Sequence, residues 1–343
     1  MTIEQFIKEN EIIARQLAGK RLAEVDKLFQ KHIAKIIKLY QSNQWINSDN
    51  FSIDSNSTLK KEFEKITKQL SIELEDLINT STKEQWISAQ TTANKFVETY
   101  FNVSKLKKAT QQIYRTENLQ EFLKSQKSRL TRFKLSDRVW KYSKQFETQM
   151  QNAFELALLN GDSAQKLSRD IKQYLNEPEK LYRRVRDVKG QLHLSKNAKL
   201  YNPGQGVYRS AHKNALRLAS SEINAYYKAS ENQRWQSMDF VIGFEVKRSN
   251  NKFDCDMCDS LVGKYPKSFQ FVGWHPNCRC YQIPILKPME MFTDELKGAV
   301  KEDYSHLGDF QKEITKMPAN FENHLKEKAG IYKGYKVVPY WVK

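Results

Sequence analysis

The chain has 343 residues, 39% hydrophobic and 12% aromatic, and a formal net charge of +17. That length exceeds most single cores and predicts two or more domains, while the aromatic content excludes a disordered chain and no run reaches the apolar length of a bilayer span. A field of this sign attracts polyanions, with nucleic acid the obvious candidate and anionic membrane the lesser one; a Lys-rich solvated surface accounts for much of the same excess without any ligand.

From Thr2 to Gln41, Ile3, Phe6, Ile7, Ile13, Leu17, Val25, Leu28, Ile33, Ile36, Ile37 and Tyr40 recur at three- and four-residue intervals. This predicts one or two long amphipathic helices, with Gly19 as a weak point. Residues 42–57 read as a loop closing on Ser57 or Thr58 as N-cap. Leu59–Leu77 is helical again, Lys83–Phe101 is a separate helix with Trp86, Ala89, Ala93, Phe96 and Tyr100 on one face, and Leu106–Leu130 holds two short helices. His32 stands alone on its helix and reads as a packed or surface residue, not a ligand. Residues 1–135 are therefore expected to form an all-helical arm without catalytic spacing.

Asp137–Leu159 is a further helix, with Val139, Tyr142, Phe146, Met150, Phe154 and Leu158 in register, ending at Asn160-Gly161. Asp162 or Ser163 caps the next, Ala164–Leu175, which Glu177-Pro178 stops. Lys180, Arg183, Arg184, Arg186 and Lys189 then form the densest basic patch, an exposed loop or hairpin suited to contacting phosphates without reading bases, and equally readable as a solvated linker. Val207–Met238 is the longest uninterrupted helix signal. Leu216, Ala219, Ile223, Tyr226 or Tyr227, Ser230 and Trp235 face one way and Arg217, Ser221 and Asn224 the other, with Glu222 and Arg217 expected to pair structurally. Phe240–Lys247 alternates in part and reads as a strand.

All four cysteines fall between residues 253 and 281, as Cys255, Cys258, Cys278 and Cys280, with His275 just before the second pair. Thiolates and at most one imidazole at this spacing point to tetrahedral coordination of a borderline-soft cation, most plausibly a structural Zn²⁺. Five donors compete for four places, and the spacing does not select the surplus one. Pro276 drives His275 out of helical conformation onto a loop or strand edge. Val262–Pro266 and Phe269–Gly273 read as short strands and turns of a ribbon folded over the ion. Two disulfides, or buried thiols with no metal, are the alternatives; disulfides need an oxidising compartment, and nothing at the N-terminus resembles a signal peptide. Beyond Cys280 come an exit strand, Gln282–Leu286, a polar helix from Thr293 to Ile314 broken at Met317-Pro318-Ala319, and an aromatic stretch, Tyr332–Trp341, that packs on this chain or on a partner.

These elements predict a mainly α protein with a small α+β metal-binding module. The divisions are a helical arm over 1–135, a domain of long central helices and a zinc-knuckle-like β-ribbon over 136–290, and a tail over 291–343. Phosphate loop, His-Glu-x-x-His and nucleophile elbow are all missing from the sequence. The expectation is a non-enzymatic protein with no small-molecule substrate and no membrane association.

The order Arg217-x-Ala219-x-x-Glu222-x-Asn224, Arg234-Trp235, Cys255-x-x-Cys258, Gly263 and Gly273-Trp274-His275-Pro276-x-Cys278-Arg279-Cys280 resembles the phage Mu F-like minor head protein domain, over about residues 150–285. The chain departs from that pattern in reading Ser220-Ser221-Glu222 where the family usually has Arg-Thr-Glu. The resemblance implies a phage or prophage head morphogenesis protein, made in the host cytoplasm and carried inside the virion head. Its partners would be portal, capsid or scaffolding proteins and, non-specifically, double-stranded DNA. Two other classes remain open: a zinc-dependent nucleic-acid-binding protein or nuclease, and the delivery region of a phage-related toxin.

Overall fold

The computed structural model describes residues 1–42, 53, 56–101, 111, 112, 114, 118–133, 135–159, 162–176, 183–186, 192–194, 208, 210–249, 254–297, 313–335 and 338–342. In chain order its elements are α1 (Ile3–Ser42), α2 (Ser57–Tyr100), α3 (Leu119–Phe133), α4 (Leu135–Leu159), α5 (Ala164–Asn176), β1 (Arg183–Arg186), β2 (Leu192–Leu194), α6 (Ala211–Gln236), β3 (Val241–Lys247), α7 (Asp256–Ser260), β4 (Gly263–Tyr265), β5 (Tyr281–Leu286), α8 (Met289–Lys297) and α9 (Ala319–Lys333). The protein is thus mainly helical with a small antiparallel sheet, and among the described residues no helix is long and apolar enough to cross a membrane.

Several boundaries differ from the periodicity reading. Gly19 does not interrupt α1: a glycine inside a helix costs about 0.5–1 kcal/mol, which the burial of Val25, Phe29, Ile33 and Ile36 farther along the same helix outweighs. The two helices expected over 59–101 are one, α2. At the polar junction between them, Ser81 Oγ donates to the Leu77 carbonyl at 2.6 Å, and Ser81, Thr82 and Gln85 are buried. The helix therefore absorbs its own polar side chains instead of ending there. The junction of α4 and α5 follows expectation, with Ser163 Oγ accepting from the Lys166 amide at 3.2 Å as an N-cap does. Of the helix read over 293–314, α8 covers the start, while residues 298–312 lie outside the described residues; α9 has no counterpart in the sequence reading. Pro318 does not merely break a helix; it is the N-cap residue of α9, with φ −67° and ψ 144°.

The chain groups into two compact units, each made of discontinuous segments. The helical unit comprises Gly19–Ser81 and Gln126–Ser220. Its core is aromatic, with Phe154 edge-on to Tyr40 at 5.0 Å and to Phe63 at 5.6 Å, and Phe29 edge-on to Phe146 at 5.4 Å. It also carries the hairpin β1–β2, paired antiparallel from Arg183 opposite Leu194 to Arg186 opposite Leu192.

The metal-loop unit comprises Met1–Ala18, Thr82–Ser125 and Ser221–Lys343. Its sheet has the order β4-β3-β5, antiparallel throughout, with Phe244 opposite Tyr265 on one side and Pro284 on the other. Gly243 is required in β3, because a Cβ there would stand 2.8 Å from both the Ile314 side chain and the Tyr265 carbonyl oxygen. Phe240, Phe244, Tyr265, Phe271 and Trp274 are buried around this sheet, and the C-terminal Trp341 packs edge-on against Trp274 at 5.6 Å. The aromatic tail therefore docks on its own chain.

Candidate metal centre

Between β3 and β5 the chain makes one short helix, one short strand and a long irregular loop. Cys255 is the N-cap residue of α7, extended at φ −148° and ψ 97°, and its carbonyl accepts from the Asp259 amide at 2.9 Å. Cys258 follows three residues on, so one turn brings both sulfurs to the same side. The second half needs two left-handed residues. Asn277 has φ 62°, a conformation Asn tolerates. Gly273 has φ 104°, and a Cβ there would stand 3.2 Å from the Cys278 Cβ. The Cys278 amide donates to the His275 carbonyl at 3.0 Å, closing the turn.

The segment 269–273, expected as a strand, is irregular, because its backbone groups bond to side chains and not to a ladder. Asn232 Nδ2 donates to the Phe271 carbonyl at 2.7 Å, and Tyr340 Oη accepts from the Val272 amide at 2.8 Å. Trp341 Nε1 donates to the Trp274 carbonyl at 3.2 Å, Ser221 Oγ accepts from the Asn277 amide at 3.2 Å, and Arg15 donates to the Arg279 carbonyl at 3.3 Å. Lys228 Nζ donates to the Cys280 carbonyl and lies 5.1 Å from the centre of the Phe271 ring. Gln236 adds a bond to the Lys267 carbonyl at 3.2 Å. Ser221, Lys228, Asn232 and Gln236 stand at i, i+7, i+11 and i+15, one face of α6. The sequence reading found Ser221 but not the rest, because polar residues occur all round this helix and do not mark out one face.

All five predicted donors converge. His275 Nε2 lies 3.3 Å from Cys255 Sγ and 3.1 Å from Cys258 Sγ, and Cys258 Sγ lies 3.9 Å from Cys278 Sγ. The donor atoms of Cys255, Cys258 and His275 fall within 4.8 Å of one another, as do those of Cys258, Cys278 and Cys280, so Cys258 belongs to both groups. No cysteine is in a disulfide. Donors around a tetrahedral zinc stand roughly 3.3–3.8 Å apart given metal–ligand bonds of about 2.0–2.3 Å, and the observed separations of 3.1, 3.3 and 3.9 Å lie in or close to that range. His275 Nδ1–H donates to the Pro276 carbonyl at 2.8 Å, which fixes the tautomer and leaves the Nε2 lone pair directed at the sulfurs, the arrangement found in metal-bound histidines. The cluster is therefore able to hold a metal ion.

The thiols perturb one another. Hydrogen bonding with Cys278 pushes the Cys258 thiol up, while hydrogen bonds from Cys258 and Cys280, together with the charge of Lys228, hold Cys278 low. Cys280 is lowered by its bond with Cys258, but the bond with Cys278 and burial raise it by more, to about 12. Three buried sulfurs at this spacing release one proton easily and the others only when positive charge arrives. Of the acidic residues around the first pair, Asp259 is taken by Arg248 at 2.5 Å and Asp256 opens α7.

The remaining predicted sites fare differently. Arg183, Arg184 and Arg186 lie on β1 of the hairpin, whereas Lys180 and Lys189 lie outside the described residues. Arg217 bonds Asn214 at 3.5 Å and stacks 4.8 Å from the Tyr208 ring, Glu222 is buried, and Asn224 is half-buried beside Ser221. Two further histidines make structural contacts, His212 with Asp26 and His324 with Ser260 and Tyr332. In comparisons with protein-family models, curated proteins and solved structures, nothing matches this chain.

Proposed function

We propose that this chain is a phage or prophage minor head protein, residing inside the virion head and acting in procapsid assembly, portal association and DNA packaging or ejection. In this reading the Cys/His cluster holds one zinc ion that organises the loop and does no chemistry, since sites filled by four protein ligands are closed. The observation that carries the reading is that the cysteine and histidine positions of the family resemblance form one donor cluster, with Arg234 and Trp235 packed in the same unit. Arg234 holds Asn94 at 2.8 Å and the Tyr114 carbonyl, Trp235 packs 5.8 Å from Phe244 of the sheet, and Gly273, His275, Cys278 and Cys280 form the loop with Cys255 and Cys258. Motif donors that meet in one cluster are what a structural metal module requires.

Fractionation of virus particles followed by mass spectrometry tests it. The chain is expected in portal-bearing heads at a few copies per particle, and its exclusion from them would contradict the proposal. Metal-dependent DNA cleavage by the purified chain, lost in Cys258→Ser, would favour the nuclease reading instead.

A further inference from the structure

The positive charge of the chain is not evenly shared. The helical unit holds fewer than half of the residues, but 30 of the 57 Lys and Arg and only 17 of the 40 Asp and Glu, so +13 of the +17 resides there. Within it, the end of α1 and the beginning of α2 line a cleft of about 520 Å³. Lys35 and Lys38 enter from α1 and Lys65 from α2, over a floor of Leu39 and Ile66, with Glu62 as the single carboxylate. Nearby on α1, Lys31 grips both carboxylate oxygens of Glu73 at 2.8 and 2.9 Å. Lys35, Lys38 and Lys65 have no ion-pair partner among the described residues.

Three uncompensated ammonium groups facing one apolar-floored cleft repel one another, and an anion with several oxygens relieves that repulsion. We infer that the α1–α2 cleft is a phosphate-contacting site that seats the backbone of double-stranded DNA without reading its sequence. The lining contains lysines as point charges and no aromatic ring on which a base could stack, so it selects phosphate and not base. The wider unit adds a strong field of the same sign, which draws a polyanion to the cleft. The inference deepens the proposed function by naming where packaged DNA is contacted, and it is separate from the arginines of β1.

The test uses the full chain and a fluorescently labelled duplex of arbitrary sequence, with affinity measured by anisotropy across a salt series. Each phosphate contact contributes about 0.9 to the slope of log K against log salt, so Lys35→Gln, Lys38→Gln and Lys65→Gln together are expected to lower the slope by about 2–3. Glu62→Gln, which removes the one opposing charge, is expected to tighten binding several-fold, and this arm decides the matter if the triple variant fails to fold. Lys124→Gln in the other unit should leave the slope unchanged. An unchanged slope in the triple variant overturns the inference, as does failure of the wild-type chain to bind duplex. So does loss of tripolyphosphate binding with duplex binding intact, which would mark a site for small polyphosphates. Presence in virus particles is read independently, so a cleft that ignores DNA and a chain absent from heads are distinguishable failures.

Discussion

The helical unit and the loop around the Cys/His cluster are held together in opposite ways. In the helical unit each long helix contributes many equivalent apolar contacts, as where Phe154 meets Tyr40 and Phe63, and the backbone satisfies itself. In the loop from Phe269 to Cys280 the backbone cannot do so. Its carbonyls and amides are held one at a time by Asn232, Lys228, Ser221, Arg15, Tyr340 and Trp341, and its centre is a set of sulfurs able to hold a cation. Stability spread over many contacts tolerates the loss of one, whereas stability concentrated in a donor cluster does not.

The comparison breaks most visibly if the ion is taken away. Structural zinc contributes on the order of 10 kcal/mol of apparent binding free energy in small zinc-dependent folds. A strong chelator, or Cys258→Ser at the position shared by both donor groups, is therefore expected to unfold the metal-loop unit while the helical unit still melts cooperatively. Calorimetry would record the loss of one transition and the survival of the other. The reciprocal change is smaller: Phe154→Ala should cost about 3–5 kcal/mol, lowering the melting of the helical unit and leaving metal content unchanged.

Acidity separates the two units more finely. Burial, reinforced by Glu11, raises the Glu231 carboxyl from its ordinary 4.5 to about 8, against the opposing effects of Lys228 and Gln282. Between those values the folded chain binds more protons than the unfolded one, so the metal-loop unit should lose stability as pH rises through that window. Glu231→Gln should flatten the decline, measured by denaturant titration from pH 5 to 9. Buried histidines give the opposite sign in both units. His324 is held below 6.5 by burial and then Lys328, and His32 by burial and then Lys35. Their contribution is complete above 6.5 and is lost as pH falls through the depressed values. The smallest effect belongs to the exposed pair Lys124–Glu121 at 2.6 Å, where Lys124→Ala should cost less than about 0.5 kcal/mol.

What could be read in the sequence follows the same division. Helices α4 and α5, strands β3 and β5 and the five donors were legible because each depends on local pattern: apolar period, alternation or cysteine spacing. The merging of two predicted helices into α2 was not, since it depends on Ser81 and Thr82 being buried by distant segments. Nor was α9, whose polar sequence hides the burial of Phe321, His324 and Tyr332. The irregular course of 269–273 escaped because β-branched and aromatic residues suggest a strand, while α6 and the C-terminal tail supply the hydrogen bonds that a strand partner would have given. The tail offered aromatics without a target, and only the fold reveals Trp274 as the partner of Trp341.

The central claim is that side chains drawn from this cluster of five donors close on one ion. X-ray absorption at the zinc edge on purified chain, combined with elemental analysis, tests it most directly. One zinc per chain with sulfur scatterers at about 2.3 Å, with or without one nitrogen at about 2.0–2.1 Å, is the predicted result. A chain that carries no metal, or whose zinc is ringed by light scatterers alone, would contradict it.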